Sequence, residues 1–279
     1  MIIAKIHNVF KSLTDTEKKI ASYILKNPEK VIDMTAKELA EKCGTVPSAV
    51  MRMCKSIGVD GFSKLKISLA GTMSDGEEFS CDGSDCENAF GKVFNSGIST
   101  LKNTYKMLDF LSIEKMVSKI ISADRIFIFG VGTSSVIAVD MAYRLSQLGI
   151  CAYAYTDILQ MGVMAMNMKK KDVAFGISHS GDTKTVVDAM RLAKKAGAET
   201  MALTSFSKSL LYTESDWAIS VYADEENYPV EAVSARIAHM CVADALIMAA
   251  SKNSKALEEH ILMRNEILDS MRYKKGVKK

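Results

Sequence analysis

Proline is scarce in this sequence: Pro28, Pro47 and Pro229 are the three in 279 residues. Long helices can therefore run without interruption, and a proline-rich linker is excluded. The six cysteines (Cys43, Cys54, Cys81, Cys86, Cys151 and Cys241) include no CxxC pair. They read as reduced thiols, with Cys81 and Cys86 as solvent-facing positions of a polar stretch. Of the four histidines, His7, His179, His239 and His260, none is spaced against a cysteine as a zinc site requires, so no metal and no cofactor are expected. The strongly apolar runs Ile126–Val131 and Leu246–Ala250 fall short of the roughly 20 residues that a membrane span needs. The opening MIIAKIHNVFK has a lysine at position 5 and a histidine at position 7 and no export-type apolar core, so a cytoplasmic protein with no membrane contact is expected. With 48% hydrophobic and 25% charged residues, wholesale disorder is excluded and the length suits two domains.

Charge is unevenly distributed. Residues 1–73 carry a net charge of +5, residues 74–91 (SDGEEFSCDGSDCENAFG) carry −6, and the remainder carries +4, part of it in the tail RYKKGVKK. A basic head, an acidic hinge and a larger, nearly neutral block follow one another. The boundaries expected are 1–75 for the head, 76–90 for the acidic linker, 91–255 for the larger domain with its leading helices, and 256–279 for a C-terminal helix and basic tail.

The head reads as all helix. Thr14 and Glu17 form a capping-box signature before the apolar face Ile20, Tyr23 and Ile24, and Asn27-Pro28 stops that helix. Thr35 and Glu38 repeat the signature, and Gly44 ends the second helix. Another begins at Pro47, where a missing N–H costs nothing, and turns Val50, Met53 and Ile57 inward. Two short helices across a glycine turn are a helix-turn-helix pattern. Ser48, Ala49, Arg52 and Lys55 are expected on or near the exposed side, with small residues first to allow close approach to a major groove. With Thr35 and Pro47 at the two helix starts, they make up the candidate DNA-binding set.

The larger block alternates strand and helix: strands at 125–129, 152–155, 172–178, 199–205 and 217–222, with helices between them and a long one at 231–250. The pattern predicts an α/β, doubly wound parallel sheet covered on both faces, with two helices from 88–121 packed over it. Ligands of such sheets bind at the carboxyl ends of strands. Two loops stand there. Gly130–Ser135 (GVGTSS) lacks the third glycine of a dinucleotide fingerprint, since Ser135 occupies that position. Ser178–Thr183 (SHSGDT) places three hydroxyls around a glycine at a helix mouth, suited to a phosphate without a Walker lysine. The Met161, Met164, Met166 and Met168 segment reads as adaptable core or subunit interface.

The tracts 13–25 (LTDTEKKIASYIL), 35–44 (TAKELAEKCG), 52–66 (RMCKSIGVDGFSKLK), 129–135 (FGVGTSS), 175–189 (FGISHSGDTKTVVDA) and 231–246 (EAVSARIAHMCVADAL) resemble the RpiR family of bacterial transcription regulators. The C-terminal part of those regulators is a sugar-isomerase (SIS) domain. The resemblance covers about residues 1–75 and 108–250. It implies a phosphosugar sensor that binds operator DNA as a homodimer or homotetramer, not an enzyme. The ligand would be held by Ser134 and Ser135 with Gly132, by Ser178, Ser180 and Thr183 with Gly181 and His179, and by Glu231, with Arg236 pairing with Glu231 or a partner subunit. The chain departs from the family where Val46 and Ala49 replace frequent hydroxyl residues at the start of the recognition helix; Arg52 is retained. The rival reading is a phosphosugar isomerase or amino-sugar processing enzyme with an accessory helical domain, in which His179 or Glu231 would carry a proton.

Overall fold

The structure, a computed structural model, describes residues 2–70, 84–223, 233–252 and 255–271. The N-terminal part is α-helical: α1 (Ile2–Val9), a 3-10 turn, α2 (Asp15–Lys26), α3 (Pro28–Asp33), α4 (Ala36–Lys42), α5 (Pro47–Ser56) and α6 (Phe62–Ala70). Both capping boxes form. Thr14 accepts from the Glu17 amide while the Glu17 carboxylate accepts from the Thr14 amide, and Thr35 and Glu38 do the same. Pro28 not only stops α2 but also opens α3 at its first turn, where its missing N–H costs nothing. Ile6, Ile20, Ile24, Leu39, Val50, Met53 and Leu65 close a core of their own.

Next come α7 (Asp85–Met107) and α8 (Phe110–Ser122), then β1 (Ile126–Phe129), α9 (Thr133–Gln147), β2 (Ala152–Tyr155), α10 (Ile158–Met166), β3 (Val173–Ile177), α11 (Lys184–Lys195), β4 (Glu199–Thr204), α12 (Leu210–Glu214), β5 (Trp217–Ser220), α13 (Val233–Ser251) and α14 (Lys255–Ser270). The expected linker is thus helical over its second part: Ser84 caps α7 through the Glu87 amide, a third capping box hidden in the acidic stretch. Residues 71–83, including Cys81, lie outside the described residues.

All strand pairings are parallel and the order is β2-β1-β3-β4-β5. Side chains alternate between two cores, as a pleated sheet covered on both faces demands. Ile126, Ile128, Phe175 and Leu203 face α8, α9 and α13. Phe127, Phe129, Ala174 and Ala202 face α10 and α11, where Met161 and Met168 are buried; Met166 is exposed. At the amino ends of the strands, Arg125 clamps the buried Asp172 through Nε at 3.0 Å and Nη2 at 2.6 Å. That pair ties β1 to β3 at the edge opposite the loops of interest. At 19 residues, with an 18-residue window of mean hydropathy 1.5, α13 is long and apolar enough to cross a membrane by length and composition alone. Here it packs along the sheet through Ala238, Val242 and Leu246.

Candidate functional site

Strand β1 is followed outward by β2 on one side, while β3 and the later strands lie on the other, so the order reverses between β1 and β3. Neighbouring loops that leave such a reversal in opposite directions open a crevice at the carboxyl edge of the sheet. The segments Gly130–Gly132 and Ser178–Thr183 leave from these two strands.

In the second loop, Ser178, Ser180 and Thr183 form a triangle of hydroxyls. Ser178 Oγ lies 2.9 Å from Thr183 Oγ1 and 3.4 Å from Ser180 Oγ, and Ser180 Oγ is 3.4 Å from Thr183 Oγ1. Thr183 occupies the N-cap of α11 yet makes no side-chain capping bond. Ordinary capping, the plain explanation for a threonine here, therefore does not account for it. Its hydroxyl turns into the triangle and leaves the first-turn amides of α11 without a side-chain cap. Three rotatable O–H groups beside uncapped amides at a positive helix end are donors suited to a multiply charged oxyanion. Gly181 makes the turn possible. It has φ +67, and a Cβ there would overlap Ser209 Oγ.

The first loop contributes less. Gly132 (φ 58) is the N-cap of α9. Ser135 Oγ donates to the Gly132 carbonyl at 2.6 Å, and Ser134 is buried at 8% exposure. The structure thus spends the Ser135 hydroxyl on its own loop. Glu231 lies outside the described residues, so its place relative to these loops is not part of the described geometry; Arg236 is on α13.

His179 is half-buried, with its ring edge-on to Phe206. Its Nδ1 lies 2.8 Å from Ser205 Oγ, which in turn is 3.4 Å from Nε2 of the buried His239. Burial first, then the neighbouring His179, push the His239 pKa down to about 3, against an upward pull from the backbone of Thr204 and Ala235. His239 is therefore neutral near pH 7 and offers no charge to an anion. Neither Ser205 nor His239 emerged from the sequence reading. Ser205 directly follows the carboxyl end of β4, the neighbour of β3, where ligands of such sheets bind. His239 lies on the apolar helix α13, where no local pattern sets it apart.

In the N-terminal domain α4 and α5 pack across a turn in which Gly44 has φ +63. Pro47, Ser48, Arg52 and Lys55 are exposed on α5. Ala49 is corrected: at 1% exposure it faces inward beside Val50, so it supports the helix pair and offers nothing to DNA. Thr35 is exposed, but its hydroxyl donates to Glu38 Oε2 at 2.8 Å and accepts from the Glu38 amide. Val46 and Met51, at 56% and 41% exposure, are apolar positions on the same surface that charge reasoning passed over.

The family model described as the helix-turn-helix domain of the rpiR family matches residues 1–76, and that of the SIS domain matches residues 119–249. An uncharacterised HTH-type transcriptional regulator of Caldanaerobacter subterraneus subsp. tengcongensis is 35% identical over 278 residues, covering 97% of this chain and 98% of its own length. The HTH-type transcriptional regulator HexR of Pseudomonas aeruginosa is 27% identical over 98% of this chain and 97% of its own. Among solved structures, the Vibrio vulnificus NanR protein complexed with ManNAc-6P superposes with a TM-score of 0.63 at 23% identity, over 98% of this chain and 100% of that one. At that identity the likeness is one of fold.

Proposed function

We propose, since the chain belongs to the RpiR family of helix-turn-helix transcriptional regulators with a C-terminal SIS domain, that its SIS domain senses a phosphorylated sugar and thereby alters operator affinity. The observation that carries the ligand class is the hydroxyl triangle of Ser178, Ser180 and Thr183 beside the uncapped start of α11. The phosphate accepts from those hydroxyls and from α11 amides, with Gly132, Ser134, Ser135, Gly181, His179 and Glu231 completing the ligand-binding set. The working division is a DNA-binding head over 1–75 and a sensor over 91–255. A thermal-shift panel of sugar phosphates, with inorganic phosphate and unphosphorylated sugars as controls, tests this reading. Stabilisation by a sugar phosphate well above both controls supports it; equal responses across the panel contradict it.

DNA contact is assigned to Pro47, Ser48, Arg52 and Lys55 on the exposed side of α5, with Thr35 at the start of α4. The Arg52→Ala variant is expected to bind DNA more weakly and to lose about one unit from the slope of log K against log salt, because one phosphate contact disappears. Binding curves at several salt concentrations measure that slope; an unchanged slope removes Arg52 from the backbone contacts. The protein acts in the cytoplasm as a homodimer or homotetramer. Exposed Val136, Val139 and Tyr143 on α9 and Phe90 and Phe94 on α7 support association through the sensor domain.

The isomerase reading requires a proton carrier at the sugar. His239 is neutral and sealed from solvent, which leaves His179 or Glu231 for that role. We infer a sensor rather than an enzyme. Incubation with hexose and pentose phosphates is expected to give no aldose–ketose conversion. Turnover that disappears in Glu231→Gln would overturn the inference.

A further inference from the structure

The segment that follows β4, Ser205–Ser209, lies between the hydroxyl triangle and the recognition helix. On one side it is bonded closely to the phosphate loop. The Ser205 amide donates to the His179 carbonyl at 3.1 Å, Leu211 donates to the Gly181 carbonyl at 2.9 Å, and the Leu210 amide donates to Asp182 Oδ1 at 2.9 Å. Ser209 Oγ fills the space beside Gly181 where a side chain would sit. On the other side its exposed tip, Lys208, extends Nζ to the backbone carbonyl of Ser56 at 3.4 Å. Ser56 is the last residue of α5, and its own hydroxyl is tied to Glu17 of α2 at 2.7 Å. A cation at the carboxyl end of a helix meets unsatisfied carbonyls and the negative pole of the dipole. The head also contacts the sensor domain at a second place, where His7 of α1 meets the Tyr222 ring edge-on and the Tyr222 amide donates to Thr104 of α7.

We propose that Lys208 is a positioning residue that links the effector loop to the end of the recognition helix, so that a change at Ser178–Thr183 is passed to α5 through Ser205–Ser209. The His7–Tyr222 contact is the pivot and the Lys208–Ser56 contact is the latch. The role of the latch in the effector response rests on the sensor reading above; the latch itself does not. Lys208 touches none of the three hydroxyls, so its removal separates communication from binding.

The test uses the full chain as wild type, Lys208→Ala and Lys208→Arg, in two arms. Hydrogen exchange without any ligand is read at the amides of Ile57, Gly58 and Val59. Their exchange is expected to be about two- to fivefold faster in Lys208→Ala, the worth of one exposed hydrogen bond, and at the wild-type rate in Lys208→Arg. In the second arm, DNA selected from random sequence by the wild type is titrated with and without the sugar phosphate that most stabilises the protein. Lys208→Ala is expected to bind that sugar phosphate within about twofold of wild type, as a surface substitution should. Its DNA affinity is expected to lose most of the ligand-dependent change, with Lys208→Arg restoring it. Unchanged exchange at Ile57–Val59 in Lys208→Ala overturns the latch, as does a full ligand response in that variant. If no sugar phosphate alters wild-type DNA binding while exchange still rises in Lys208→Ala, the sensor reading fails and the latch stands.

Discussion

Ser180→Ala combined with Thr183→Ala is expected to abolish the response of DNA binding to a sugar phosphate and to leave unliganded DNA affinity within about twofold of wild type. In the proposed site the two hydroxyls donate to an oxyanion, and each bond to a charged group contributes about 1.5–3 kcal/mol. Losing both lowers effector affinity by at least about a hundredfold. The fold tolerates the change because neither hydroxyl does indispensable structural work. Thr183 makes no capping bond to α11, and Ser180 Oγ accepts only a long bond from the Asp182 amide at 3.3 Å outside the triangle. Ser178, whose Oγ accepts from the Gly181 amide, stays in place to hold the turn. Calorimetric titration and melting curves of the double variant check this. An undiminished rise in melting temperature with ligand would put the phosphate elsewhere.

The second large effect is on stability. Gly181→Ala is expected to cost about 3–5 kcal/mol, the sum of left-handed backbone strain and an overlap that cannot relax. Ser209 is buried and its hydroxyl donates to the Phe206 carbonyl at 2.7 Å while capping α12 through the Tyr212 amide, so it cannot swing aside. Thr204 Oγ1 stands 2.6 Å from the same added methyl. For a chain of this size the melting temperature should fall by roughly 6–20 °C. Gly197→Ala provides the comparison, because its φ of +93 imposes strain while nothing lies within 4 Å of the added carbon. Gly197→Ala is therefore expected to show the smaller fall. Equal falls in the two variants would mean that the tight fit against Ser209 is not what requires glycine.

What the sequence revealed, it revealed through local chemistry. Two capping boxes marked α2 and α4 because a capping box is read from four consecutive positions, and the hydrophobic runs marked β1 to β5 because a sheet covered on both faces needs them. The third box, Ser84 to Glu87, has the same pattern, but it sits among acids that charge counting assigns to a linker. Helices α1 and α6 are short and held by tertiary packing, whereas α3 and α12 carry start signals, Pro28 at the first turn and Ser209 at the N-cap, too brief to stand out in the sequence. Ala49 shows the limit of face assignment over a ten-residue helix: Val50 and Met53 were placed inward correctly, yet the buried arc also takes in Ala49 and Cys54. At the candidate site, the loop residues could be read because the ends of parallel strands are defined in advance. The contact of His179 with Ser205 and His239 joins β3, β4 and α13, and Lys208 with Ser56 spans 152 positions. No pattern of neighbouring residues encodes such pairs.

On the proposed reading, a sugar phosphate bound at the loops that follow β1 and β3 is felt at α5. The direct measurement is the affinity of the wild-type protein for its selected DNA, by fluorescence anisotropy at fixed salt, across a titration of the stabilising sugar phosphate. A coupling of about 1–3 kcal/mol moves that affinity roughly 5–150-fold, saturating at the concentration where ligand binding saturates. The same DNA affinity without the sugar phosphate and at its saturating concentration would contradict the account.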